Sequence, residues 1–233
     1  TVHAQESGPT IELFYGNAHR FGQLGQPQPF VNVLGKVAPA EGVTLTYSLN
    51  GGEERPLTVG PTLYRLAANG DFNVDISTSE LAAGENIVTI YAENSAGQKT
   101  AETLTLNFDN RTAWPLPSTI DWATVDNLTD VVQVVDGEWA LTPDGVRPLT
   151  LGYDRLIAIG DQSWRDYEVT VPITIHGAEP RFGDPSYGAS VGVAFRWNGH
   201  SERDATQPDN GWWPLGSFGQ ILWVTPRKQA YRL

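Results

Sequence analysis

Val43, Leu45, Tyr47 and Leu49 alternate with polar residues and run into Asn50-Gly51-Gly52. A two-residue period of this kind is the signature of a half-buried β-strand. Phe72, Val74 and Ile76 repeat the pattern, and Leu104, Leu106 and Phe108 repeat it again. Asn86 to Ala92 leads into the turn Asn94-Ser95-Ala96-Gly97, which reads as the bend of a hairpin closing the unit. Ser77 to Leu81 can supply one helical turn at most. An antiparallel sandwich of about seven strands is the simplest packing for roughly the first hundred residues.

The aromatic residues divide the chain. All eight tryptophans lie at or beyond Trp114, and the seam runs through Asp109-Asn110-Arg111-Thr112-Ala113-Trp114-Pro115-Leu116-Pro117, where two prolines favour an extended connection. The expected organisation is a processed N-terminal segment at 1–10, an immunoglobulin-like sandwich at 11–109, a linker at 110–117 and a second β-sandwich at 118–233. Thr1 to Gly8 contains Val2-His3-Ala4, a small-residue pattern like the end of a secretory signal. With a secretory leader, the chain is expected to be secreted or on a bacterial cell surface.

Composition narrows the function classes. The 233 residues can bury a substantial core, and with no cysteine neither disulfides nor thiolate metal sites are available. A formal charge of −12 disfavours nucleic acid and anionic membrane surfaces, because phosphate binding needs clustered Lys and Arg. No apolar run approaches the roughly 18 residues of a membrane span.

In the second half, Val131 to Val135 and Glu138 to Thr142 flank Asp136-Gly137, a two-residue hairpin signal. Asp166 to His176 puts Tyr167, Val169, Val171, Ile173 and Ile175 on one strand face, with Glu168, Thr170, Pro172, Thr174 and His176 on the other. Pro172 cannot donate a ladder bond, so this strand is expected at an edge or with a bulge. Val191, Val193, Phe195 and Trp197 form the next apolar face, opposite Gly192, Ala194, Arg196 and Asn198.

Two resemblances follow from these stretches. LAAGENIVTIYAENSAGQKTAETLTLNF resembles the last two strands of bacterial immunoglobulin-like domains, which implies a spacer or adhesion module. DGEWALTPDG, RLIAIGDQSWRDYEVTVPITIHG and GVAFRWNGH together resemble concanavalin A-like lectin and glucanase sandwiches, including laminin-G-like domains. That resemblance implies an all-β, jelly-roll second domain, incomplete within this chain because 120 residues hold too few strands. It also implies a polysaccharide or glycan partner.

The loop RWNGHSERDATQPDNGWWPLG is the candidate binding site. Trp212 and Trp213 could stack on a sugar ring while Arg196, Asn198 and His200 hydrogen-bond its hydroxyls, with Glu168 and His176 on the polar sheet face. The alternative is that the tryptophans pack beneath the loop. Calcium is a candidate cofactor through Asp204, Asp209 and Asn210, with Asp184 and Glu202 nearby, since these supply the hard oxygens the ion prefers and the lectin resemblance includes calcium binders. No EF-hand spacing supports it.

For catalysis, Asp166 and Glu168 stand two residues apart on one strand, about 6.6 Å, near the lower edge of the inverting-glycosidase range. The laminarinase-like pattern of alternating carboxylates fails at Thr170. A hydrolase or lyase fragment therefore stays an alternative to non-catalytic glycan recognition, as does a surface-layer or filament component that self-assembles or contacts other cell-surface proteins. No phosphate loop, nucleophile elbow or paired metal histidines are present.

Overall fold

The computed structural model describes residues 8–111, 113–152, 154–177, 189–201, 206–213, 215–225 and 228–232. It is an all-β protein in which the only helical elements among these residues are three single 3-10 turns.

The first half contains β1 (Thr10–Leu13), β2 (Ala18–Phe21), β3 (Phe30–Ala38), β4 (Thr44–Leu49), β5 (Arg55–Leu57), β6 (Asp71–Ser77), β7 (Gly84–Glu93) and β8 (Lys99–Phe108). They form two facing sheets in the orders β1-β3-β6 and β2-β8-β7-β4-β5, an immunoglobulin-like arrangement. The alternating residues meet between the sheets: Val31, Val33, Tyr47, Phe72, Val74, Ile76, Val88, Ile90, Leu104 and Leu106 share one buried cluster. Each such side chain contributes roughly 1.5–3 kcal/mol on full burial. At Gly35, a Cβ would stand 2.3 Å from the Glu12 carbonyl oxygen and 2.5 Å from Phe72 Cζ, so the missing side chain lets β1 and that ring approach β3 closely.

The β7–β8 hairpin forms as its turn chemistry predicts, with Asn94 Oδ1 accepting from the amides of Ala96 and Gln98. The 3-10 turn at Thr78–Glu80 is the single turn expected there. Two details differ from expectation. Eight strands form rather than seven, and β2 pairs with β8 in parallel, so the sandwich is not wholly antiparallel.

The second half adds β9 (Gln133–Asp136), β10 (Trp139–Thr142), β11 (Gly145–Pro148), β12 (Leu156–Ala158), β13 (Ala189–Phe195), β14 (His200–Ser201), β15 (Gly211–Trp212), β16 (Ser217–Thr225) and β17 (Lys228–Arg232). They pair as β10-β11, β12-β9, β13-β16-β17 and β14-β15. Among the described residues these are four small sheets, and the two broad facing sheets of a jelly roll are not formed by them.

Two strand assignments from sequence are corrected. Asp136-Gly137 does not close a hairpin: β9 leaves β10 and pairs with β12, while β10 turns at Pro143-Asp144 to pair with β11. The reason is that the Asp136 carboxylate is drawn into a buried ion cluster, and β9 packs against β3 instead. Asp166 to His176 forms no ladder with any described strand, and all of Glu168 to Gly177 is exposed. Asp166 itself has φ of 51°, a left-handed conformation that cannot start a strand.

The seam at 110–117 is partly packed. Trp114 is buried, its Nε1 donates to Ser118 Oγ at 2.7 Å, and its carbonyl accepts from Trp164 Nε1 at 2.7 Å. Across the same region, the amide of Gln26 donates to Asp161 Oδ2 at 2.9 Å.

Candidate functional site

The outer face of the β1-β3-β6 sheet carries Asn32, Asn73 and Asp75, which the alternation alone would leave in water. Here they are buried, because β9 of the second half lies over them. Burying unpaired polar groups is costly, so each finds a partner. Asn73 Nδ2 donates to the Val135 carbonyl at 2.7 Å and to Asp136 Oδ1 at 3.1 Å. Gln133 Nε2 donates to the Phe30 carbonyl at 2.7 Å, and Asn32 Nδ2 donates to Asp75 Oδ1 at 2.6 Å.

Arg65 is the hub. It comes from the loop between β5 and β6 and is wholly enclosed. Its guanidinium bonds Asp75 Oδ2 at 2.6 Å, Asp136 Oδ1 at 2.5 Å and the Asp209 carbonyl at 2.7 Å. The other oxygen of Asp136 meets His200 Nε2 at 2.8 Å, while His200 Nδ1 lies 3.1 Å from the Gly211 carbonyl. The Asp209 amide donates to Asp75 Oδ2 at 2.9 Å, and Gln207 brackets the Asp75 backbone with bonds of 2.9 and 2.8 Å. Gln207 and Asp209 are thus fastened to Arg65 and Asp75 of the first sandwich, while His200 is held by Asp136 of β9.

Electrostatics follow from this enclosure. Burial alone would raise the Asp136 carboxyl, but Arg65 and His200 beside it outweigh burial and hold it below the ordinary carboxylate range. Arg65, opposed by burial, is held charged by Asp136 and Asp75. Asp154 lacks such a partner; burial, then the nearby Asp136 charge, push it up to about 6, with Trp212 Nε1 donating to its Oδ2 at 3.4 Å.

Above this cluster stands a group of aromatic rings. Trp197 is buried and meets His200 edge-on at 5.1 Å and Trp212 at 4.3 Å between centroids. Trp197 Nε1 donates to Gln28 Oε1 at 3.3 Å, which links the ring back to the first sandwich. Trp213 points elsewhere. With Asn198 from the same loop and Pro29 and Phe30 from the first sandwich, it lines an open depression of about 450 Å³. Gly199, at φ of 89°, brings the loop onto Phe30 so closely that a Cβ would sit 2.5 Å from the ring.

The residues expected at the site therefore separate. Trp213 is 48% exposed and shares the depression with the exposed Asn198, while Arg196 is exposed but does not line it. Trp212, 36% exposed, stands against Trp197 and Phe218 and does not line the depression. His200 corrects the expectation of a sugar-binding imidazole: it is buried, with both ring nitrogens engaged. Glu168 and His176 are exposed on the unpaired segment and are not part of this depression. Asp166 and Glu168 do not share a strand face, so no fixed carboxylate spacing for glycoside chemistry exists between them.

For calcium, Asp184, Glu202 and Asp204 lie outside the described residues. Asp209 spends its amide and carbonyl on Asp75 and Arg65, and Asn210 follows it in the same tethered stretch. Among the described residues no group of three His, Asp or Glu side chains is placed to hold a metal ion. The carboxylates of Asp75 and Asp136, which lie close together, are already occupied by the Arg65 cation.

No protein-family model matches the chain, and no curated protein matches it. Among solved structures, the titin M3 domain is similar at 20% identity with a TM-score of 0.29, covering 44% of this chain and 97% of that one. Murine CRIg is similar at 12% identity with a TM-score of 0.28, over 44% of this chain and 99% of its own. The twitchin kinase region of C. elegans gives 19% identity and a TM-score of 0.28, over 44% of this chain and 16% of that one. At these TM-scores the likenesses carry no functional weight, and the immunoglobulin-like description rests on the strand order above.

The sequence reading missed Arg65, Asp75, Asp136 and Asp154. Arg65 is the only charged residue between Pro56 and Gly70, and a lone cation in an apolar-rich loop was the one available signal.

Proposed function

We propose that this is an extracellular, non-catalytic glycan-binding protein of the adhesion type. The observation that carries the reading is the half-exposed Trp213 ring beside Phe30, Pro29 and Asn198 in a shallow open depression. Aromatic and proline surfaces offer area to the C–H face of a pyranose at low entropic cost, and an amide supplies orientation. The binding surface is composite: half of its lining comes from the immunoglobulin-like sandwich, so that domain acts as more than a spacer.

The chain's charge of −12 favours neutral glycans over polyuronates or sulfated chains, since an anionic ligand would approach an anionic protein. The test is a glycan array probed with the purified chain, with calcium and with chelator. Binding to neutral, pyranose-rich chains that Trp213→Ala reduces at least tenfold supports the assignment. Binding untouched by Trp213→Ala and Phe30→Ala places the site elsewhere, and silence of the folded protein on every glycan rejects the function.

A further inference from the structure

Among the described residues, the longest exposed apolar stretch lies away from the depression in sequence. Val169, Val171, Ile173 and Ile175 are between 39% and 51% exposed, and the polar residues alternating with them are exposed too. No described strand pairs with this segment. It is anchored at Tyr167, whose ring meets Trp164 at 5.5 Å and Phe195 at 6.3 Å. A strand-forming sequence whose backbone groups bond to no described residue is a template for strand addition.

We propose that residues 168–176 form a homodimerisation edge, pairing antiparallel with the same residues of a second copy about Pro172. The sequence is self-complementary in this register. Val169 faces Ile175, Val171 faces Ile173, Thr170 faces Thr174, and Glu168 faces His176, an acceptor against a donor. Apolar, hydroxyl and acid–imidazole pairs are the kinds that stabilise antiparallel ladders, and no like charges oppose each other.

Neighbouring registers fit less well. Slipping by one residue breaks the apolar pairs, setting Val171 or Ile173 against Pro172 and the other apolar side chains against Thr, Glu168 or His176. Centring on Val171 would draw Tyr167 away from Trp164 and bring the left-handed Asp166 into the ladder. Centring on Ile173 leaves Val169 opposite Gly177. With Pro172 at the centre in a non-hydrogen-bonded pair, its missing N–H points away from the partner, and Val169, Val171, Ile173 and Ile175 fall in the hydrogen-bonded pairs. Two chains each carrying −12 repel, so this association strengthens with added salt.

The experiment is sedimentation of the whole chain across concentration at low and high salt, followed by two kinds of variant. Val171→Lys, at an exposed position, leaves the near-UV circular dichroism unchanged and weakens the dimer at least tenfold. Because the chain has no cysteine, Pro172→Cys can link only to its own copy, across a Cα separation of about 4.5 Å. Val169→Cys alone stands about 20 Å from itself in this register and does not link, whereas a mixture of Val169→Cys and Ile175→Cys does. A monomer at every concentration, a dimer indifferent to Val171→Lys, or self-linking of Val169→Cys as fast as Pro172→Cys overturns the proposal.

Discussion

Arg65 Nε donates to Asp136 Oδ1 at 2.5 Å with both side chains wholly excluded from solvent, and the two residues come from opposite halves of the chain. Taking charges out of water is expensive, and their attraction repays that cost only when every donor and acceptor is satisfied. Here Asp75, the Asp209 carbonyl and His200 complete the set.

Arg65→Met is therefore expected to destabilise the protein by about 3–5 kcal/mol, because it leaves Asp75 and Asp136 buried without their cation. Urea unfolding at neutral pH measures it. A loss below about 1 kcal/mol would mean that water already reaches the cluster.

Asp154 sets a pH dependence of opposite sign to that of an ion-paired acid. Its carboxyl is raised from 3.8 to about 6 in the folded protein, so the folded state binds the proton more tightly than the unfolded state. Stability from this group rises as pH falls from about 6 toward 4, by up to about 3 kcal/mol. Asp136, held low, contributes stability that is lost only at more acid pH. Asp154→Asn should flatten the pH 4–6 slope of unfolding free energy relative to the parent chain; an unchanged slope would show that Asp154 is solvated.

The tryptophans of the loop divide by role. Trp197 is buried against His200 and Trp212, so Trp197→Ala should cost about 3–5 kcal/mol. Trp213→Ala should change stability by no more than about 0.5 kcal/mol, as expected for an exposed side chain. Thermal unfolding of the two variants side by side decides it. Equal losses would show Trp213 to be part of the packing.

Gly199→Ala combines a strained φ with a collision on Phe30. It should destabilise by more than about 1 kcal/mol and weaken glycan binding beyond what the change in folded fraction accounts for. Affinity equal to the parent at matched folded fraction would detach Phe30 from the site.

The sandwich core was legible because its apolar residues obey one period and face one interior: Phe72, Val74 and Ile76 needed nothing from the second half to be read correctly. The same strand hid the site. Asn73 and Asp75 look like solvent-facing partners of that alternation, and only the arrival of β9 turns them into buried ligands of Arg65. Asp136-Gly137 misled for a related reason, since local turn chemistry favours a hairpin while a carboxylate wanted 71 positions away by Arg65 redirects the chain. Trp213 and Asn198 could be picked out from composition. Their partners Pro29 and Phe30 could not, being distant in sequence and brought near by packing.

The five-stranded sheet ends at β5, and there Leu57 bridges Gln207, whose carbonyl accepts from the Thr58 amide at 2.7 Å. A borrowed residue thus seals the free border of the immunoglobulin-like unit. Such units are often interchangeable beads, cut and recombined between proteins without loss. This one is not separable in that way: moved alone into another context, it would carry an open border and an enclosed arginine stripped of half its counter-charge.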